Sequence, residues 1–328
     1  MLTRRGLLGL AMAMGVALPA ATAAAETQVA QASMPKIVLA MSGWTGFAPL
    51  SLAEKTGLFK NHGVDVEIKF VAQKERHLAM AAGSVQAIAT TVDTHVAYTA
   101  AGVKLTQVLL LDKSNGADGI AARPAIKSFQ DLKGKTVAVD GPGTTPYFTL
   151  TYMLLKNGMT PKDVNAVTFG PQPAATSFVA GQHDAAVTYE PYISQIREMK
   201  EGGKILATTV EYPCVVDTVA FQPDYIAKNP AIVRAVVDGY FDALAMIASD
   251  KMKAYEIMGA VVKQNAEQFG NSAKYIQWQD RAANVAYFDK GMAEFLKEAA
   301  QIQLDAGVIK QIPDLKELAD GQFVKPKS

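Results

Sequence analysis

The sequence lacks the features that would assign it to several familiar classes of protein. Among 328 residues there is one cysteine, Cys214, so no disulfide forms within the chain and its hydrophobic core must hold the fold together. Basic residues (32) and acidic residues (31) nearly cancel, and a net charge of +1 argues against a general nucleic-acid binder. No apolar run is long enough to span a bilayer. The chain is therefore expected to be an ordinary globular protein.

Motifs for cofactors and metals are also missing. We find no Walker phosphate loop, dinucleotide fingerprint or Gly-x-Ser-x-Gly elbow. The four histidines have no metal-ligand spacing with one another or with Cys214. The sequence therefore predicts no metal and no cofactor.

The N-terminus has the layout of an export signal. Arg4 and Arg5 precede an apolar run that reaches Leu18, and small residues follow up to Ala25. We predict a signal peptide over residues 1–25. The paired arginines resemble the twin-arginine signal of bacteria but occur in ordinary secretory signals too, so both export routes stay open. With no cysteine at the cleavage site, we expect a periplasmic protein without a lipid anchor.

The remaining chain alternates between strand-like and helix-like segments of short length. This pattern predicts an α/β protein whose sheets are mainly parallel and flanked by helices. We interpret it as two lobes. Residues 35–118 and 218–328 form a discontinuous lobe I with a helical tail, and residues 119–217 form lobe II. The two chain crossings, near 113–122 and 212–219, would act as a hinge, and the carboxyl ends of the strands would face one cleft.

One strand-to-helix junction stands out. Gly141-Pro142-Gly143 makes a turn between a short strand and a helix, with Thr144 or Thr145 as a candidate cap. The turn would direct the free N–H groups of the helix start at one spot, which suits an oxyanion. Such turns are common in α/β proteins, so this one is a candidate site only alongside others.

Several stretches resemble a known family. Residues 44–67, from Trp44 to Glu67, look like the opening of the nitrate/sulfonate/taurine class of solute-binding proteins of ABC importers, and residues 131–139, 178–191 and 224–230 fit the same class. The resemblance implies a two-lobed periplasmic binding protein of type II fold, a monomer that closes on a small molecule. It would deliver that molecule to a membrane permease driven by a cytoplasmic ATPase.

The strand-to-helix junctions and the crossings supply the candidate ligand contacts. Each candidate also has a purely structural explanation, as a helix cap, a core side chain or a hinge contact. The predicted ligand-binding residues are Trp44, Thr45, Thr91, Asp93, Asp118, Thr144, Thr145, Glu190 and Asp217.

The acids in this set suggest the charge of the ligand. No lysine or arginine occupies a candidate cleft position, and uncompensated carboxylates would not favour an inorganic anion such as nitrate. We therefore hypothesise a solute with a positive group: a taurine-like zwitterion, an amine or a guanidinium compound. Two alternatives stay open, a thiamine-pyrimidine-synthase-like enzyme of similar fold and a binding protein that serves a sensor.

Overall fold

The computed structural model describes residues 34–326. The predicted signal peptide, residues 1–25, lies outside the described residues. Within residues 34–326 no helix combines the length and the apolar character needed to cross a membrane.

The first sheet has six strands in the order β11-β4-β10-β3-β1-β2. Strands β1 to β4 run in one direction, whereas β10 and β11 run against them. Their bounds are β1 Lys36–Met41, β2 Asp65–Phe70, β3 Ala87–Thr91, β4 Thr106–Ser114, β10 Val216–Phe221 and β11 Ile276–Trp278.

The second sheet has five strands in the order β7-β6-β8-β5-β9. Here β5 runs against the other four. Their bounds are β5 Asp118–Ala122, β6 Thr136–Val139, β7 Asn165–Thr168, β8 Ala185–Tyr189 and β9 Lys204–Thr208.

Helices flank both sheets. In the described part of the chain they are α1 Ala48–Thr56, α2 Leu58–Asn61, α3 Gln73–Ala81, α4 Val92–Ala100, α5 Thr145–Lys156, α6 Pro171–Val179, α7 Tyr192–Arg197, α8 Pro223–Lys228, α9 Pro230–Ser249, α10 Lys251–Val261, α11 Ala266–Ala273, α12 Arg281–Ala286 and α13 Met292–Asp305.

The chain changes sheet at two points. The chain leaves β4 of the first sheet and enters the second as β5, and it leaves β9 and returns as β10. Each strand that follows a crossing is antiparallel to its neighbours, so both sheets are mixed rather than mainly parallel. Asp118 consequently belongs to the second sheet and Asp217 to the first, the reverse of the predicted boundary assignment.

Local sequence explains the helices that matter for the site. Helix α5 starts after Thr144 with a proline in its first turn, where the missing N–H costs nothing. Helix α9 buries Val233, Val236, Val237 and Tyr240 against the first sheet, and these residues recur at helical spacing. The tail is not wholly helical, because the three-residue strand β11 pairs with β4.

Candidate functional site

A small cavity lies where strand ends of both sheets meet. The first sheet contributes the end of β3 and the start of β10, and the second contributes the start of β5 and the end of β8. The cavity measures about 20 Å³. Its lining residues are Ser42, Trp44, Phe47, Gln73, Arg76, Thr90, Thr91, Asp118, Thr145, Tyr189, Val215 and Asp217.

Two buried aspartates, Asp118 and Asp217, line this cavity, and two more, Asp93 and Asp112, lie close to them. Asp217 at the start of β10 is the register partner of Asp112 on β4, and Asp118 opens β5 opposite Tyr189. Asp93, in the first turn of α4, is also fully buried. The Asp112 and Asp217 carboxyls lie close enough together for each to influence the pKa of the other.

Burial raises the pKa of each of these carboxyls. It raises the pKa to about 7 for Asp93 and Asp118 and to about 8 for Asp112, and it raises the pKa of Asp217 well above its usual range. Repulsion among the four carboxylates adds to the effect. The other titratable or charged groups that act on these carboxyls are Arg76, Tyr98, Tyr189, Tyr240, Glu190 and Cys214.

Arg76 places one positive charge at the cavity. Its side chain is almost fully buried; Nε donates to the Val71 carbonyl (2.9 Å) and Nη1 to the Ala89 carbonyl (2.7 Å). Among the described residues its Nη2 has no acceptor. The expectation of a site without lysine or arginine is therefore wrong. Sequence reasoning missed Arg76 because α3 is rich in charge and resembles a solvent-exposed helix.

Aromatic rings form one wall of the cavity. The rings of Trp44 and Tyr189 meet edge to face with centroids 5.4 Å apart, and Trp44 Nε1 donates to Asp112 Oδ1 at 3.3 Å. Gly46 allows this contact, because a Cβ there would lie 2.2 Å from Trp44 Nε1 and 2.4 Å from Asp112 Oδ2. The glycine in Trp44-Thr45-Gly46 thus leaves room for the indole and the carboxylate together.

Gln73 joins the two sides of the site. It begins α3 beside the first sheet, and its Oε1 accepts the N–H of Thr145 (3.2 Å) at the start of α5. Its Nε2 lies 2.6 Å from Thr145 Oγ1 and 2.7 Å from Thr90 Oγ1. The first free N–H of α5 is therefore occupied by an uncharged side chain.

Five of the predicted ligand contacts line the cavity together, and four do not. Trp44, Thr91, Asp118, Thr145 and Asp217 line it.

The side chains of Thr45, Asp93, Thr144 and Glu190 do not line it. Thr45 is buried and its N–H donates to the Glu190 carbonyl, and Asp93 Oδ2 accepts from Thr94. Thr144 Oγ1 donates to the Gly141 carbonyl (2.8 Å) instead of capping α5.

Glu190 is the clearest correction. Its carboxylate accepts from Ser194 (2.7 Å) and Ser272 (3.0 Å), and it forms an ion pair with Arg197 at 3.4 Å. Its charge is therefore largely offset inside the protein and its side chain does not line the cavity, so a role as a direct acceptor for a cationic solute is not supported.

Sequence reasoning also missed Ser42, Gln73, Asp112 and Tyr189. Ser42 and Tyr189 stand at the ends of β1 and β8, and Gln73 starts the helix that follows β2. Applying the strand-end rule to every junction would have found these three. Asp112 was assigned to the crossing, whereas β4 continues to Ser114.

A larger and more open groove of about 530 Å³ borders Gly43 and Tyr192. The charged side chains that line it are Glu198 and Lys263, one of each sign, and amide side chains such as Gln264 make up much of the rest. The buried charges lie at the smaller cavity, which is therefore the candidate site. Within the described residues no group of three or more histidine, cysteine or acidic side chains is arranged to hold a metal.

The architecture is that of the two-lobed type II periplasmic binding proteins. The alkanesulfonate-binding protein of Xanthomonas axonopodis superimposes with a TM-score of 0.74 over 87% of this chain and 98% of that protein, at 16% identity. At this identity the likeness shows the fold alone.

The sequence comparison identifies the family of the chain. The family model described as NMT1/THI5 like matches residues 44–254, and the chain belongs to this family. A binding protein of Brucella abortus is 24% identical over 246 residues, 74% of this chain and 76% of that protein. The taurine-binding periplasmic protein of Escherichia coli is 26% identical over 206 residues, 61% and 63% respectively. The resemblance drawn from the four sequence stretches is confirmed.

Proposed function

We propose that this protein is the substrate-binding component of an ABC-type importer. It captures a small polar solute between its two sheets and presents it to a membrane permease coupled to a cytoplasmic ATPase. One observation carries the proposal: a buried, charged cavity is lined by strand ends of both sheets, so neither sheet alone can enclose a ligand. The family and the predicted signal peptide agree with a periplasmic role.

The solute classes left open by the sequence are sulfonate- or taurine-like compounds and compounds with an amine or guanidinium group. Arg76 gives an anionic group one buried partner, and Asp118 and Asp217 give a cationic group two. A site with both signs is able to bind a polar solute of either class, and the first experiment should therefore screen both.

Thermal shift against a panel of small solutes tests the proposal. A ligand that binds only the folded protein stabilises it by about 2.7 kcal/mol at 100 times its Kd. The panel contains taurine, alkanesulfonates, nitrate, guanidinium and small amines at equal ionic strength. At least one should raise the melting temperature of the wild type, and none should raise that of Gly46→Ala, whose added Cβ would collide with Trp44 and Asp112.

Gly141→Ala is the matched control for this variant. A Cβ at Gly141 meets nothing nearer than Thr168 at 3.9 Å, so this variant should respond like the wild type. No response to any solute, or equal responses in both glycine variants, would contradict a binding role at this cavity. Loss of solute uptake on deletion of the gene supports an importer, whereas loss of a sensory response with normal uptake supports a sensor. Pyridoxal absorbance in the purified protein would favour the enzyme alternative.

A further inference from the structure

Acceptors outnumber donors among the unpaired atoms of the cavity. Of the lining residues that the structure describes, Asp118 Oδ2 and Asp217 Oδ2 are buried and accept no hydrogen bond, whereas Arg76 Nη2 is an unpaired donor. Other donors are already used: Trp44 Nε1 by Asp112, and the Thr145 N–H by Gln73. A ligand that satisfies this site must therefore bring N–H donors.

The balance of charged groups around the cavity also favours a ligand that carries N–H donors and a positive charge. Asp93, Asp112, Asp118 and Asp217 are all at most 3% exposed, and one buried guanidinium, Arg76, stands against them. An anionic ligand would find one buried cationic partner, Arg76, and would further disfavour ionisation of the four carboxyls around it. A cationic ligand compensates the carboxylates and lets the carboxyls ionise.

The size and the aromatic lining of the cavity restrict the class of cation further. The space of about 20 Å³ is small, which favours a compact head group over a bulky one. Its wall includes the Trp44 and Tyr189 rings, and aromatic faces attract cations. A planar, delocalised cation is weakly hydrated and offers several N–H donors in a fixed fork, which a compact ammonium group does not.

Granted the proposed function, we propose that the solute presents a compact planar cation of the guanidinium or amidinium class to this cavity. Its N–H groups donate to Asp118 and Asp217, and Trp44 and Tyr189 lie against it. Arg76 remains in place as a fixed counter-charge to the aspartates and is not itself the ligand's main partner.

Isothermal titration of the purified protein tests this assignment. The probes are guanidinium chloride and acetamidinium chloride, compared with methylammonium, taurine and nitrate at constant ionic strength. We expect both planar cations to bind at least 100-fold more tightly than taurine or nitrate and at least tenfold more tightly than methylammonium. Asp118→Asn and Asp217→Asn should each weaken guanidinium binding at least tenfold, whereas the exposed control Asp289→Asn should leave it unchanged.

A second pair of variants tests the contact between the solute and the Trp44 ring independently of folding. Trp44→Phe keeps a ring in the cavity and should retain more affinity than Trp44→Leu, with thermal denaturation checking that both are folded. Tighter binding of taurine or nitrate than of guanidinium would overturn the cation assignment while leaving the binding-protein proposal intact. Unchanged guanidinium affinity in both aspartate variants would overturn it as well. Failure of every solute in the broader panel would instead refute the proposed function.

Discussion

Replacing Asp118 with asparagine should stabilise the ligand-free protein, and more so as the pH rises. Asp118 is 3% exposed, and burial raises its pKa to about 7 from the ordinary value of 3.8. Between these values the folded protein keeps a proton that the unfolded chain has lost. The stability contributed by this group is therefore fully present below about pH 4 and is lost as the pH rises through 7. Asparagine keeps the shape of the side chain and never carries the charge.

The size of the effect follows from the width of this window. A single group that is protonated in the folded state but not in the unfolded state lowers the free energy of unfolding by about 1.4 kcal/mol for each pH unit. The slope lessens near pH 7, where the folded group begins to ionise, so from pH 5 to pH 7 the wild type should lose on the order of 2 kcal/mol that Asp118→Asn retains. Neighbouring carboxyls titrate in the same range, so the comparison is between the two proteins at each pH and not between pH values for one protein.

Urea denaturation of both proteins at pH 5 and pH 7 measures this difference. The advantage of Asp118→Asn in free energy of unfolding should grow by about 2 kcal/mol between the two pH values. Asp289→Asn, at an exposed position, should show no such growth. An advantage that is equal at both pH values would mean that Asp118 is ionised in the folded protein at pH 5, and the desolvation reasoning would be wrong.

Three other predictions concern the same site. Binding of guanidinium should release protons and tighten as the pH rises from 5 toward 8, because burial raises the pKa of the Asp112, Asp118 and Asp217 carboxyls in the empty site and a cation favours their ionised forms. Calorimetry in two buffers of different ionisation enthalpy measures the proton release, and a pH-independent affinity would contradict it. Gln73→Ala removes the acceptor of the Thr145 N–H, so hydrogen exchange should quicken at the start of α5 and stay unchanged in α9. Equal protection in the wild type and the variant would mean that Gln73 does not hold the start of α5. Glu190→Gln should lower the melting temperature by weakening the ion pair with Arg197, but it should change solute affinity less than threefold. A tenfold loss of affinity in a folded variant would mean that Glu190 contacts the solute.

The fold was largely predictable because local signals and the family resemblance agree. Strand β8, Ala185–Tyr189, lies within residues 178–191, which resemble the family, and α5 begins at Thr145, at the strand-to-helix junction identified from the sequence. The antiparallel entry of β5 and β10 was not predictable from periodicity, because the side-chain pattern of a buried strand does not depend on the direction of its neighbours. Strand β11 was missed since three residues are too few to show a period.

The site was only partly predictable, for a different reason. Asp118 and Asp217 were identified because strand-end rules place them at a cleft. What their carboxylates contact depends on side chains from distant segments. Glu190 has the same local setting but meets Arg197 and Ser272, and Arg76 in a charge-rich helix turns inward to the carbonyls of the first sheet. Local sequence holds no information about either partner.

The pairing of β10 with β4 has a consequence for how the protein matures. Asp112 and Asp217 become neighbours only when the returning strand inserts between β3 and β4 in the correct register. A chain shortened before Val216 retains every strand of the second sheet and the first four strands of the other, yet it lacks half of the carboxyl pair. Solute recognition should therefore be acquired late in folding, in one step with closure of the six-stranded sheet, and a pulse of labelled solute would report that step directly.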